Sequence, residues 1–159
     1  MEQRYQKKPN RLIGYDYSAP GYYFLTICAR NHECLFASIR AEHNLTPAVM
    51  ELNSTGQIVQ AAIEEIPRRY PGVEINKYTV MPNHLHLILV LRDGSVNSPS
   101  IHTIMQQFKR AVSIKIGKTV WQPRFYDHII RSEREYQEIW KYIDNNPAKW
   151  ALDKYYHET

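Results

Sequence analysis

The sequence predicts an α+β fold, one antiparallel sheet in the ferredoxin-like order β-α-β-β-α-β, with helices packed on it and a further helix at its C-terminal end. Three observations lead there. Residues 80–91 read Val-Met-Pro-Asn-His-Leu-His-Leu-Ile-Leu-Val-Leu, too β-branched, leucine-rich and short for a surface helix, with Pro82 and Asn83 opening them as a central strand. Aromatic and β-branched residues crowd 22–28, giving the first strand. Stretches with apolar residues at helical spacing lie between and after the strand candidates. At 159 residues the chain is long enough to bury a sizeable core as one domain spanning 1–159.

Taken in order, a basic, tyrosine-bearing lead at 11–17 turns at Ala19-Pro20-Gly21 into the first strand. From 29 to 52 the pattern weakens into a long connection, with a short strand expected at 49–52. Ser54 and Gln57 form a capping box for a first helix whose face is Ile58, Ala61, Ala62, Glu65 and Ile66, and Pro67 is expected to end or bend it. Residues 73–80 form a strand whose alternation slips between Ile75 and Tyr78, as a bulge makes it do. The short Pro82-Asn83 link makes this strand and the next antiparallel neighbours. Ser98 and Pro99 supply the N-cap and first-turn proline of a second helix reaching Gly117, with Ile101, Ile104, Met105, Phe108, Val112 and Ile116 as its buried stripe. A short strand follows at 127–130. Ser132 and Glu135 then box the start of a third helix, which stops at Asn145-Asn146-Pro147.

Composition narrows the function. No apolar run approaches the length that crosses a bilayer, and no apolar segment follows the charges at the start as in a signal peptide, so a cytoplasmic protein is expected. Cys28 and Cys34 have neither the number of a disulfide scaffold nor the spacing of a zinc or redox motif. Net charge is +4 and the pI is near 9.0. The distribution says more: between Asp93 and Asp127 there is no acidic residue, while Lys109, Arg110, Lys115, Lys118 and Arg124 fall there with Trp121, Phe125 and Tyr126 interleaved. Cations neutralise phosphates and flat rings stack on unpaired bases, so the stretch suits a nucleic-acid surface, an ordinary solvated helix face being the alternative.

Two constellations carry chemistry. On the strand at 80–91, His84, His86, Ile88 and Val90 share one face and Leu85, Leu87, Leu89 and Leu91 the other. Two neutral imidazoles one residue apart on a strand face reach a single divalent cation; solvated histidines at a sheet edge are the competing reading. On the third helix, Tyr136, Ile139, Trp140 and Ile143 form the core stripe, which leaves Tyr142 at its margin with Asn146 one turn on along the same side.

The blocks Tyr15-Asp16-Tyr17-Ser18 with 23–28, Val80-Met81-Pro82-Asn83-His84-Leu85-His86, Trp121-Gln122-Pro123-Arg124-Phe125 and Tyr142-Ile143-Asp144-Asn145-Asn146-Pro147 stand in one order over nearly the whole chain. Together they resemble the REP-associated tyrosine transposases, short relatives of the single-tyrosine HUH transposases of bacterial insertion sequences. The resemblance implies a ferredoxin-like fold, a divalent cation, magnesium or manganese, held by His84, His86 and a polar helix residue that falls at Asn146, and Tyr142 as the nucleophile that cuts single-stranded DNA. A helix-ending role for Asn146 stands beside the ligand role. A phenol ionises near pH 10, so it is a poor free nucleophile and a competent leaving group, and a phosphotyrosine link is therefore reversible. The expected activity is metal-dependent single-strand cleavage and strand transfer through a 5′-phosphotyrosine, on single-stranded or hairpin DNA, by a monomer or homodimer. Arg11, Lys109, Arg110, Lys115, Trp121 and Arg124 are the expected DNA contacts, with a place in the core as the other reading of Trp121. A catalytically silent hairpin-binding protein, and a metal-dependent hydrolase of RNA or a small molecule, are the rival classes.

Overall fold

The structure, a computed structural model, describes residues 11–40, 49–92 and 98–152. Strands β1 (Gly21–Cys28), β4 (Val73–Val80), β5 (His84–Leu91) and β6 (Tyr126–Ile130) form a four-stranded sheet in the order β4-β5-β1-β6, each neighbouring pair antiparallel. Between β1 and the first helix, β2 (Ala37–Arg40) and β3 (Val49–Leu52) pair as a separate two-stranded sheet. Helices α1 (Ser54–Arg69), α2 (Ile101–Ile116) and α3 (Glu133–Asn145) complete the order, and a 3-10 turn at Pro147–Leu152 follows. The ferredoxin-like order read from the sequence is the one observed. β2 is not expected from the sequence, since it lies within the stretch from 29 to 52 where the pattern weakens into a connection.

The sheet has two apolar faces. Leu85, Leu87, Leu89 and Leu91 join Tyr23, Leu25 and Ile27 of β1 against Val59, Ile63 and Ile66 of α1 and Ile101, Ile104, Met105, Phe108 and Val112 of α2. Ile88 and Val90 join Phe24, Ile130 and Ile143 on the opposite face, under Tyr136, Ile139 and Trp140 of α3. The alternation of β5 is thus read correctly from sequence, and every one of its side chains is buried.

The helix starts need correction. Asn53, not Ser54, caps α1, its Oδ1 accepting from Gly56 N at 2.9 Å, and Ser54 is the first helical residue. A Cβ on Gly56 would stand 2.0 Å from the Phe36 carbonyl oxygen, so only glycine admits that close approach. The buried face is Gly56, Val59, Ile63 and Ile66; Ala61 and Glu65 of the expected stripe are exposed, and α1 runs past Pro67 to Arg69. Ser100, two residues after Ser98, caps α2 by accepting from Thr103 N at 3.2 Å, and Gly117 closes the helix at φ 85°. Ser132 does cap α3, accepting from Glu135 N at 3.1 Å, while the Glu135 carboxylate reaches back one residue further, to Arg131 N at 2.9 Å.

The bulge falls where the alternation slips, between Ile75 and Lys77. One extra residue, Asn76, moves Lys77 opposite Ile88 and so onto the α3 face. There Lys77 Nζ lies 2.7 Å from Asp144 Oδ1 and 3.8 Å from the centre of the Trp140 ring, and Asn76 Nδ2 donates to the Tyr136 hydroxyl at 3.3 Å. These contacts and the apolar cluster beneath them seat α3 on the sheet.

Candidate active site

The histidine pair begins β5 at the end of the sheet where Cys28 leaves β1, since Cys28 pairs with His84 and Thr26 with His86. The turn before it is tied down by its backbone: Met81 N donates to His84 O at 2.8 Å, Ala29 N to Asn83 O at 2.8 Å and Phe36 N to Pro82 O at 3.0 Å. Neither imidazole is solvated, with His84 at 0% and His86 at 1% exposure, which removes the sheet-edge reading. Burying a polar ring is costly unless its nitrogens find partners. The His84 Nδ1 meets Asn83 Oδ1 at 2.8 Å, the His86 Nδ1 meets Thr26 Oγ1 at 2.8 Å, and the two Nε2 atoms face each other at 3.1 Å. Ring planes are fixed from outside as well, Phe24 stacking on His86 with centroids 5.5 Å apart and Trp150 on His84 at 6.0 Å.

Helix α3 brings the second constellation over the first. Tyr142 is 43% exposed, with its ring centroid 5.2 Å from that of His86 and 6.2 Å from that of Phe24. One turn later Asn146 is buried at 4% exposure, its Nδ2 donating to Tyr142 O at 3.2 Å while its Oδ1 has no hydrogen-bond partner among the described residues. A buried carboxamide oxygen left unpaired costs about 1–3 kcal/mol and needs a reason. The backbone of Asn146 is right-handed (φ −58°, ψ −45°) and leads into the 3-10 turn, so the left-handed conformation that favours asparagine at helix ends is not what selects it. In the chain it stands between Tyr142, which touches His86, and Trp150, which covers His84.

The donor set fits a hard divalent cation. Two donor nitrogens 3.1 Å apart match adjacent corners of an octahedron with bonds of about 2.1 Å, whose edge is about 3 Å. Each Nδ1 is hydrogen-bonded, as is usual for ligating histidines. Among the described residues no three His, Cys, Asp or Glu side chains come together, and the Asn146 oxygen, one turn beyond Tyr142, is a further neutral donor without a partner there.

The expected DNA contacts divide. Arg11, Arg110, Lys115 and Arg124 are exposed, with the Arg11 guanidinium 5.8 Å from the centre of the Phe125 ring. Lys109 is half-buried, its ammonium donating to the carbonyls of Gln122 at 2.6 Å and Pro123 at 3.3 Å, and burial pulls its pKa below the ordinary lysine value. Trp121 is a correction: at 3% exposure it packs between Phe36 and Phe108, centroids 5.0 and 5.7 Å away, and offers no face to a base. An open groove of about 730 Å³ remains along Arg110, Ser113, Ile114, Lys118 and Gln122, with Ile114 exposed on its wall. Its loop lies at the histidine end of the sheet, because Gln122 N donates to Cys28 O at 3.0 Å and Arg30 N to Val120 O at 2.8 Å. Sequence reasoning missed Asn83, Thr26 and Trp150. Asn83 adjoins His84 and could have been suspected, whereas Thr26 becomes visible only once strand register is known.

No family model matches the chain. An uncharacterised protein of Haemophilus influenzae is 35% identical over 175 residues, spanning 96% of this chain and 94% of its own length. A REP-associated tyrosine transposase of Escherichia coli is 36% identical over 99 residues, 62% of this chain and 58% of its own. Among solved structures, a REP-associated tyrosine transposase bound to a REP hairpin matches with a TM-score of 0.64 and 30% identity over 88% of this chain and 74% of that one.

Proposed function

The chain belongs to the REP-associated tyrosine transposases, and from that membership we propose that it cuts and rejoins single-stranded DNA beside a hairpin, with Tyr142 as nucleophile and a divalent cation at His84, His86 and Asn146. The observation that carries the proposal is the meeting of a half-exposed phenol with His86, whose Nε2 converges with that of the equally buried His84, while one turn beyond the phenol a buried carboxamide oxygen has no partner among the described residues. A cation held there, magnesium or manganese, supplies charge neutralisation and orientation to the scissile phosphate.

The ligand set is neutral throughout. Imidazoles and an amide would leave a dication's charge uncompensated, and a phosphodiester oxygen of the DNA would supply the missing negative charge. Tyr142 stands at the rim, where a strand from solvent meets its hydroxyl. In the cleavage step a bond forms between the phenol oxygen and phosphorus and the bond from phosphorus to the 3′ oxygen breaks. The phenol gives up its proton to water and the released 3′ oxygen takes one. A 3′ hydroxyl of another strand reverses the step, which rejoins DNA without a nucleotide cofactor. The exposed cations of α2 and the Gln122 loop serve as the track for the flanking strand.

A catalytically silent hairpin-binding protein is disfavoured by the buried unpaired Asn146 oxygen, a cost that simple binding gives no reason to keep. The test is incubation with labelled single-stranded hairpins and magnesium, followed by denaturing electrophoresis. The expected product is protein covalently attached to DNA, absent with Tyr142→Phe or with chelator. Released fragments with no covalent adduct would point to a hydrolase instead.

A further inference from the structure

We infer that Asn83, held by a left-handed turn at Asn31 and His32, fixes the tautomer of His84 so that its Nε2 presents a lone pair to the cation site. The inference rests on the reading of His84 as a ligand and deepens it. Asn31 and His32 are consecutive non-glycine residues at φ 55° and 54°. Non-glycine residues in that region persist where their surroundings hold them. Here His32 N donates to Ala29 O at 3.1 Å, Glu33 N to Arg30 O at 3.2 Å, and the His32 Nε2 meets Gln122 Nε2 at 3.1 Å.

The turn aims a carbonyl. His32 O accepts from Asn83 Nδ2 at 3.2 Å, and because a carbonyl only accepts, the nitrogen of the amide must face it. The amide oxygen is thereby turned to His84 Nδ1 at 2.8 Å. An amide oxygen also only accepts, so Nδ1 carries the hydrogen, and a neutral imidazole with hydrogen on Nδ1 has its lone pair on Nε2. The other histidine is held differently. His86 Nδ1 faces the Thr26 hydroxyl, which donates or accepts, so its tautomer follows circumstance. Without a cation, His86 Nε2–H donates to His84 Nε2 across the 3.1 Å gap; with one, both nitrogens offer lone pairs and the Thr26 hydroxyl turns to accept. Asn83 is a positioning residue for a constant ligand, and Thr26 for an adaptable one.

The experiment is long-range ¹H–¹⁵N correlation on the metal-free full chain, read beside Mn²⁺ affinity from electron paramagnetic resonance of the free ion. The expected wild-type pattern for His84 is hydrogen on Nδ1. Asn83→Leu should mix in the Nε2–H tautomer and weaken Mn²⁺ binding about 10- to 100-fold, the usual effect of losing such a partner, whereas Asn83→Asp, which keeps an acceptor in place, should retain the Nδ1–H pattern. A wild-type His84 with hydrogen on Nε2, or Asn83→Leu with tautomer and Mn²⁺ affinity unchanged, overturns the inference. A His84→Ala variant that binds Mn²⁺ as tightly as wild type overturns the cation assignment itself, and the wild-type spectrum keeps the two failures apart.

Discussion

On one face of β5, Leu85, Leu87, Leu89 and Leu91 meet α1 and α2; on the other, His84 and His86 share a face with Ile88 and Val90 beneath α3. Both faces are equally dry, but they are dry for different reasons. Each leucine gains about 1.5–3 kcal/mol from leaving water, while each imidazole must be given hydrogen bonds to enter at all. Stability is therefore concentrated on one side of a strand and chemistry on the other, and substitutions on the two sides should fail in different ways.

The largest contrast comes from Tyr142→Phe, which removes one hydroxyl at the rim of the chemical face. The covalent adduct should vanish while hairpin affinity and melting temperature stay near wild type; an adduct of normal yield would move the nucleophile elsewhere. Next is Leu87→Ala, directly behind the histidines on the apolar face. A fully buried leucine truncated in a packed core costs about 2–5 kcal/mol, measurable by denaturant unfolding, and whatever fraction stays folded should keep its metal requirement. If Leu87→Ala instead shifts the metal requirement, the two faces are coupled and the division fails.

Asn146→Ala sharpens the comparison within the chemical face. The substitution deletes an oxygen with no partner among the described residues together with the Nδ2 bond to Tyr142 O, so the magnesium concentration for half-maximal cleavage should rise severalfold while the melting temperature falls by no more than the loss of one hydrogen bond brings. A fall in melting temperature with the magnesium requirement unmoved would return Asn146 to a structural role. The smallest effects lie on the cations of α2. Arg110→Ala or Lys115→Ala should lower the slope of log affinity against log salt by about one each where the residue contacts a phosphate. Lys109→Ala should also lower the melting temperature, because its ammonium holds the Gln122 and Pro123 carbonyls.

What could be read from the residues follows the same division. Period-two alternation and the stripe of α3 are set by burial, which sequence displays, so the strand faces, the sheet order and the margin position of Tyr142 were legible. The first caps were misplaced because Asn53, Ser54, Ser98 and Ser100 are all competent caps, and only backbone geometry selects among them. Trp121 looked like a stacking surface because its neighbours are basic; its place between Phe36 and Phe108 depends on a long-range contact that no local pattern carries. The Thr26 partner of His86 comes from register across sixty residues, which spacing alone cannot supply.

The bulge in β4 sets which errors of length the chain tolerates. Asn76 is the extra residue that puts Lys77 on the α3 face, beside Asp144 and Trp140. Deleting it would make Ile75 opposite Leu89 and Lys77 opposite Ile88 successive regular pairs, so Lys77 would keep its place beside Asp144 and Trp140 and α3 would lose only the Asn76–Tyr136 bond. A loss of one codon at Asn76 is thus absorbed by the sheet, whereas a loss at a paired position of β4 would carry every side chain on one side of it to the other face.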